Sequence, residues 1–173
     1  YSSAAADVYK RQQFDQLLSS FGSVAEHCLP SLLRTLFAWY DRQGVEWIIS
    51  DYKGKGDSKG KSELSGAKSE LEKQEFVSER RDLAVEFMFC LVLIEVLKQL
   101  SVHPGHEDLV QYIEVIAFKH FRYRDSQTLG PNASNIHMIA DLYAEVLGVL
   151  SQSRFLSTKK KFFSELRELR SRE

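Results

Sequence analysis

The sequence predicts an all-α protein with one disordered insertion, and three observations predict it. Apolar residues recur at helical spacing through most of the chain, as at Ile136, Ile139, Ala140, Tyr143, Leu147 and Leu150. Strand signals are nearly absent. One stretch, residues 51–75, loses its hydrophobes abruptly and alternates Gly54, Gly56, Gly60 and Gly66 with Lys, Ser, Asp and Glu. Such a segment cannot bury enough apolar surface to offset its ordering entropy, so it is expected as a flexible insertion.

The elements follow in order. Residues 1–12 are rich in small residues and carry no pattern; they read as a non-native or disordered lead resembling translated cloning or adapter sequence. Ser23-Val24-Ala25-Glu26 has the spacing of a capping box, which predicts a helix start. Pro30 suits the first turn of a further helix, where its missing N–H costs nothing. Leu32, Leu33, Leu36, Phe37 and Tyr40 form the buried stripe of that helix, and Gly44 ends it. Val45 to Ile49 has the composition of a short strand, but no partner strand is evident. After the insertion a long helix is expected from about Ser78 to Leu100, stopped by Pro104. Its middle is apolar all round, with Phe87, Met88, Phe89, Leu91, Val92, Leu93 and Ile94. A helix of that kind belongs at the centre of the domain, with Leu91 and Ile94 fully buried.

His106 to Phe121 is the next helix, with Leu109, Tyr112, Ile113, Ile116 and Phe121 facing inward. Gly130-Pro131-Asn132-Ala133-Ser134 then reads as a polar, proline-bearing helix start leading into the stripe that begins at Ile136. The last helix spans roughly Ser157 to Arg172, with Phe162, Phe163, Leu166 and Leu169 on one face. It lacks a stop signal, so the chain is expected to continue into a further helix that would cover this face.

The 173 residues fit one domain, and the formal net charge of −1 favours neither nucleic acid nor an acidic membrane through bulk electrostatics. Cys28 and Cys90 each sit among apolar residues, as buried, reduced thiols of a cytosolic protein do. The longest apolar run, Leu83 to Leu97, is broken by Glu86 and Glu95 and is shorter than the roughly 20 residues a membrane span needs.

Catalytic and metal chemistry find no support in the residue pattern. His103 and His106 are separated by Pro104-Gly105, which makes a turn rather than a helical metal-binding face, and no Cys or acidic cluster completes a zinc set. His137, near a helix start, reads as a packed or capping side chain. No nucleophile elbow frames a serine, and Lys61-Ser62 lacks the glycine spacing of a P-loop. Glu86 and Glu95 lie two and a half turns apart and point to opposite sides of their helix. Asn132-Ala133-Ser134 matches a glycosylation sequon, but a helix cap explains it better in a cytosolic chain. The strongest candidate surface is basic. Lys159, Lys160 and Lys161 stand at a helix N-terminus, where cations oppose the macrodipole. Lys119, Arg122 and Arg124 add a second cluster, and together the two would make a partner-binding ridge for an acidic surface.

Five ordered blocks carry a resemblance. They are Gln13-Phe14-Asp15-Gln16-Leu17-Leu18 running through Cys28 to Phe37 and Trp39-Tyr40; Glu79-Arg80-Arg81-Asp82-Leu83-Ala84 leading into Leu91 to Gln99; Ala117-Phe118-Lys119-His120-Phe121; Gly130 to Leu147; and Lys159-Lys160-Lys161-Phe162-Phe163-Ser164-Glu165-Leu166. They span residues 13–173 with a gap in the middle. This pattern resembles the N-terminal region of the Furry-type cell-morphogenesis proteins, very large helical-repeat scaffolds. The resemblance implies an armadillo/HEAT-like helical solenoid segment, although no fixed-period repeat is visible. It implies a non-enzymatic role in cell morphogenesis and polarised growth, without a cofactor. The implied partners are an NDR-type kinase with its Mob co-activator and the actin or microtubule cytoskeleton, at the cell cortex. It carries no binding residue onto this chain. The alternative of a different class is a small-molecule- or lipid-binding helical bundle, which would show a closed pocket where a scaffold shows an open groove.

Overall fold

Pro30 shapes the first element. In the computed structural model, which describes residues 2–45, 65–121 and 133–171, helix α1 (Ser2–Arg42) is broken at Cys28, with φ −144° and ψ 39°. A proline inside a helix has no N–H to donate, and its ring clashes with the carbonyl four residues back. The break is therefore where the proline demands it. The capping box does not form: Ser23 lies inside the helix, and its Oγ donates to the Ser19 carbonyl at 3.2 Å. The turn at Gln43-Gly44 ends α1 as expected, with Gly44 at φ 57°.

α2 (Ser65–Leu97) is followed by a 3-10 turn at Leu100–Val102, then α3 (Glu107–Phe121) and α4 (Ala133–Arg170); no strand occurs among the described residues. Two boundaries differ from expectation. Residues 65–75, expected within the insertion, are helical, and so are residues 2–12, expected as an unstructured lead. Residues 46–64, and with them most of the insertion and of the Val45 to Ile49 segment, lie outside the described residues. At the other end of α2, Pro104, Gly105 (φ 96°) and His106 (φ 57°) turn the chain, and the His106 carbonyl accepts the first amides of α3 from Leu109 and Val110. Glu107 and Asp108 then occupy the first turn of α3, where carboxylates complement the helix dipole.

α4 is broken as well, at Arg154 (φ −128°, ψ 39°), without a proline. We call the two parts its first and second limbs. The Arg154 guanidinium holds the corner: Nη2 donates to the Gly105 carbonyl at 2.8 Å and lies 3.3 Å from Glu107 Oε1. The connector between α2 and α3 thus pins both helix breaks, because His103 Nε2 also donates to the Glu26 carbonyl at 2.8 Å.

The helices form two pairs. α1 runs antiparallel to α2, with Gly22 against Glu95 and Tyr40 against Glu86. α3 packs on α4, and the pairs meet through α2 on α4 and, more lightly, α1 on α3. The core between them is aromatic and aliphatic. Tyr40 stacks on Phe89 at 4.2 Å, and Phe37 lies 4.5 Å from Tyr112. Leu29, Leu33, Leu93, Val96, Leu97, Ile113, Ile139 and Leu150 fill the rest. Burial of such side chains contributes about 1.5–3 kcal/mol each and is the main force holding the pairs together.

The all-round apolar middle of α2 is less buried than its composition suggests. Leu93 and Ile94 are in the core, but Leu91 is only half-buried and Met88 is exposed. Only the faces against α1 and α4 are covered. Cys28 is likewise exposed, because it stands at the α1 break rather than on the packed stripe, whereas Cys90 is buried; both thiols are free.

Candidate partner-binding surface on the last helix

The second limb of α4 starts at Phe155, immediately after the Arg154 corner. Glu114 of α3 anchors it. This carboxylate is buried, and it accepts hydrogen bonds from Ser157 Oγ at 3.0 Å and Thr158 Oγ1 at 3.2 Å. A carboxylate facing the first turn of a helix also suits the positive end of the dipole. Further along, the Phe118 and Phe162 rings lie 6.5 Å apart. The first limb meets α3 near that same C-terminal end, where the His120 and Tyr143 rings stack at 4.4 Å. α4 therefore bends around α3 in a V, with Arg154 at its apex.

The lysines expected as a binding surface stand on this limb. Lys159 and Lys160 are exposed, and Lys161 is partly covered. Lys161 Nζ pairs with Glu165 at 3.0 Å. Lys159 Nζ instead lies over two rings, 5.7 Å from the centre of Phe155 and 6.0 Å from that of Phe163. Rings attract a cation through their quadrupole, so the ammonium is held without being neutralised. Lys119 of α3 is exposed, next to Phe118. Arg122 and Arg124 lie outside the described residues.

Around these cations the surface is apolar. Phe162, Phe163 and Leu166 are exposed as their stripe suggested, while the side chain of Leu169 is outside the description. Sequence reasoning missed Phe155 and Leu156, which are 60% and 80% exposed. They precede the expected helix, and the signal that would have found them is their seven-residue offset from Phe162 and Phe163. A groove of about 330 Å³ opens in the crook of the V, floored by the first limb and walled by Phe118, Phe155 and Phe162.

The other residues singled out by chemistry have structural surroundings. Glu86 is 1% exposed, and its two oxygens accept the hydroxyls of Tyr40 and Tyr143. The network joins α1, α2 and α4 in the middle of the core. Burial, reinforced by neighbouring Cys90, Glu86 and Tyr40, pushes the Tyr143 phenol well up. Burial likewise raises the Cys90 thiol, with Glu86 adding to it. The Tyr112 hydroxyl donates to Asp41 Oδ1 at 3.1 Å, and burial together with that carboxylate pushes its pKa up to about 12. Glu95, expected on the opposite side of α2 from Glu86, lies beside Gly22 of α1 and meets Lys98 at 2.5 Å. His103 is tied to a backbone carbonyl, while His106 and His137 are exposed. Among the described residues, no three His, Cys, Asp or Glu side chains gather in a way that could hold a metal ion, and no helix is long and apolar enough to cross a membrane.

Residues 79–173, from the middle of α2 to the end of the chain, match the cell morphogenesis N-terminal family. The chain is also 31% identical over 104 residues to the cell morphogenesis protein PAG1 of Saccharomyces cerevisiae. That match covers 58% of this chain but 4% of the yeast protein. No solved structure gives a significant match. The V of α4, the α3 helix it encloses and the lysine-bearing limb all fall inside the matched residues, and the chain belongs to the cell morphogenesis N-terminal family.

Proposed function

We propose that this chain is a non-enzymatic, protein-binding segment of a large cell-morphogenesis scaffold. Its two stacked helical pairs are successive units of a solenoid, and its partners are an NDR-type kinase with its Mob co-activator and the actin or microtubule cytoskeleton of the cell cortex. Family membership and the name of the yeast relative support the morphogenesis role. One observation carries the binding role: among the described residues, Lys159 and Lys160 have no carboxylate partner, and they stand beside exposed aromatic rings on the second limb of α4. Exposed apolar patches bordered by charge mark interaction surfaces. A carried small molecule would need an interior space, and the interior between α1, α2 and α4 is filled by Tyr40, Phe89 and Tyr143.

The test is binding of the 173-residue chain to purified kinase–co-activator complex, actin filaments and microtubules at increasing salt. Exposed charges are screened over about 8–10 Å, so binding through the ridge weakens steeply with salt. Lys159→Glu with Lys160→Glu should abolish the salt-sensitive part and leave the circular dichroism unchanged. Unaltered binding by the charge-reversed chain to every partner would refute the proposal.

A further inference from the structure

The floor of the groove in the crook of α4 is a row of small side chains. Ala144, Gly148 and Ser151 follow one another at helical spacing along the first limb. Gly148 is the informative one. Glycine weakens a helix interior because it gives up more backbone freedom than any other residue. The fold supplies no reason for it here, since a Cβ built at Gly148 meets no atom within 4 Å. Gly22 shows the contrast: a Cβ there would stand 2.8 Å from the Glu95 carboxylate. Close approach explains Gly22 from within the chain, whereas the space over Gly148 is open to something outside it.

One cation stands at the rim of the groove. Lys159 lines it, and its ammonium is held by Phe155 and Phe163 rather than by an acid. Among the described residues, Lys119, Lys159 and Lys160 have no carboxylate partner, although Lys98 and Lys161 each have one. A furrow of small residues lets a second helix approach at the short end of the usual 8–10 Å interaxial range. Its recessed floor between two limbs is reached by a rod and not by a flat lipid surface.

We propose that this groove docks an amphipathic helix of a partner protein, one with carboxylates flanking its apolar stripe. The apolar side chains of the helix enter between Phe118, Phe155 and Phe162, its backbone passes over Gly148, and its carboxylates meet Lys159 and Lys160. Helix-in-groove recognition of this kind reads apolar anchors one and two turns apart. The inference rests on the protein-binding reading above and adds the shape and charge of what is bound.

The probe is a labelled helical peptide of about four turns, with leucines on one face and glutamates beside them. It is compared with the same peptide carrying lysines in place of the glutamates. Fluorescence polarisation with the 173-residue chain should show binding of the glutamate peptide and at least about tenfold weaker binding of the lysine peptide. Amide NMR shifts should concentrate at Gly148, Ser151, Phe155 and Lys159. Gly148→Leu, which fills the furrow, and Phe155→Ser, at an exposed position, should each weaken the glutamate peptide by about tenfold with far-UV circular dichroism retained. The proposal is overturned if the glutamate peptide does not bind, if both peptides bind equally, or if the shifts fall elsewhere. It is also overturned if Phe155→Ser leaves the affinity unchanged. Self-association, or binding to phosphatidylserine vesicles, that is lost in Phe155→Ser while the peptide does not bind would assign the groove to a second copy or to a membrane instead. If the kinase–co-activator complex or the filaments bind in a Lys159-dependent way but ignore Gly148→Leu and Phe155→Ser, the protein-binding reading stands and the groove does not.

Discussion

His103 donates its Nε2 hydrogen to the carbonyl oxygen of Glu26, at 2.8 Å. Glu26 lies four residues before Pro30, so its carbonyl is the one that the proline leaves without a helical donor. The kink in α1 and the connector after α2 are therefore complementary. The acceptor is a carbonyl, so the ring nitrogen facing it must carry the proton.

Removing this donor should destabilise the fold modestly. His103→Ala is expected to cost about 0.5–1.5 kcal/mol, the net worth of one hydrogen bond. In a Pro30→Ala background the new amide can reach the Glu26 carbonyl, so the cost of losing His103 should shrink. A double-mutant cycle in urea measures this coupling, and strict additivity would show that the two features are independent.

The buried carboxylate of Glu86 is the most consequential polar group in the core. Glu86→Ala leaves the hydroxyls of Tyr40 and Tyr143 without this acceptor, and should cost about 1–3 kcal/mol for each buried donor left unsatisfied. Glu86→Gln keeps a carbonyl acceptor and the side-chain volume, so it should cost clearly less. Equal losses for the two variants in equilibrium unfolding would mean that packing, not hydrogen bonding, sets the cost.

Neighbouring leucines of α2 should separate sharply. Leu93 is 1% exposed and faces the core, so Leu93→Ala should cost about 2–5 kcal/mol through lost transfer energy and a cavity. Leu91 is half-buried, and Leu91→Ala should cost less than half as much. Urea denaturation of both variants checks the burial pattern directly.

The two cysteines should differ in reactivity and in their effect at high pH. Exposed Cys28 should react with a thiol reagent in the folded protein, and buried Cys90 only on unfolding. Burial raises the Cys90 thiol and the Tyr112 and Tyr143 phenols in the folded state. Their stabilising contributions are present below their unfolded pKa values, about 8.5 for a thiol and about 10 for a phenol, and are lost as pH rises above them. The melting temperature should therefore fall on the alkaline side, and Cys90→Ala should remove the part that begins nearest pH 8.5. A melting temperature that is flat up to pH 11 would contradict this.

Helix type and the inward faces of α3 and of the first limb of α4 were legible in the sequence. Period-3.6 patterning decides which side of a helix avoids water whatever it packs against, and Leu109, Ile113, Ile136, Ile139 and Tyr143 follow it. Pro30 announced a helix boundary for the same local reason, and Gly44 a stop. The five blocks of resemblance also pointed to the family that the matched residues show.

Three things depended on tertiary structure. Burial around α2 was one: an all-round apolar helix does not reveal which side lacks a neighbour, so Leu91 and Met88 looked like core. The break at Arg154 was another. It has no proline or glycine to mark it, and it exists because Gly105 and Glu107, some fifty residues earlier in the chain, hold the guanidinium. The candidate site was the third. The lysines were visible as a charge run, but the groove beside them forms only because α4 folds back around α3. Local sequence determines helices, since their hydrogen bonds close within four residues. A groove between two limbs is set by contacts between residues far apart in the chain, and no window of sequence contains both sides of them.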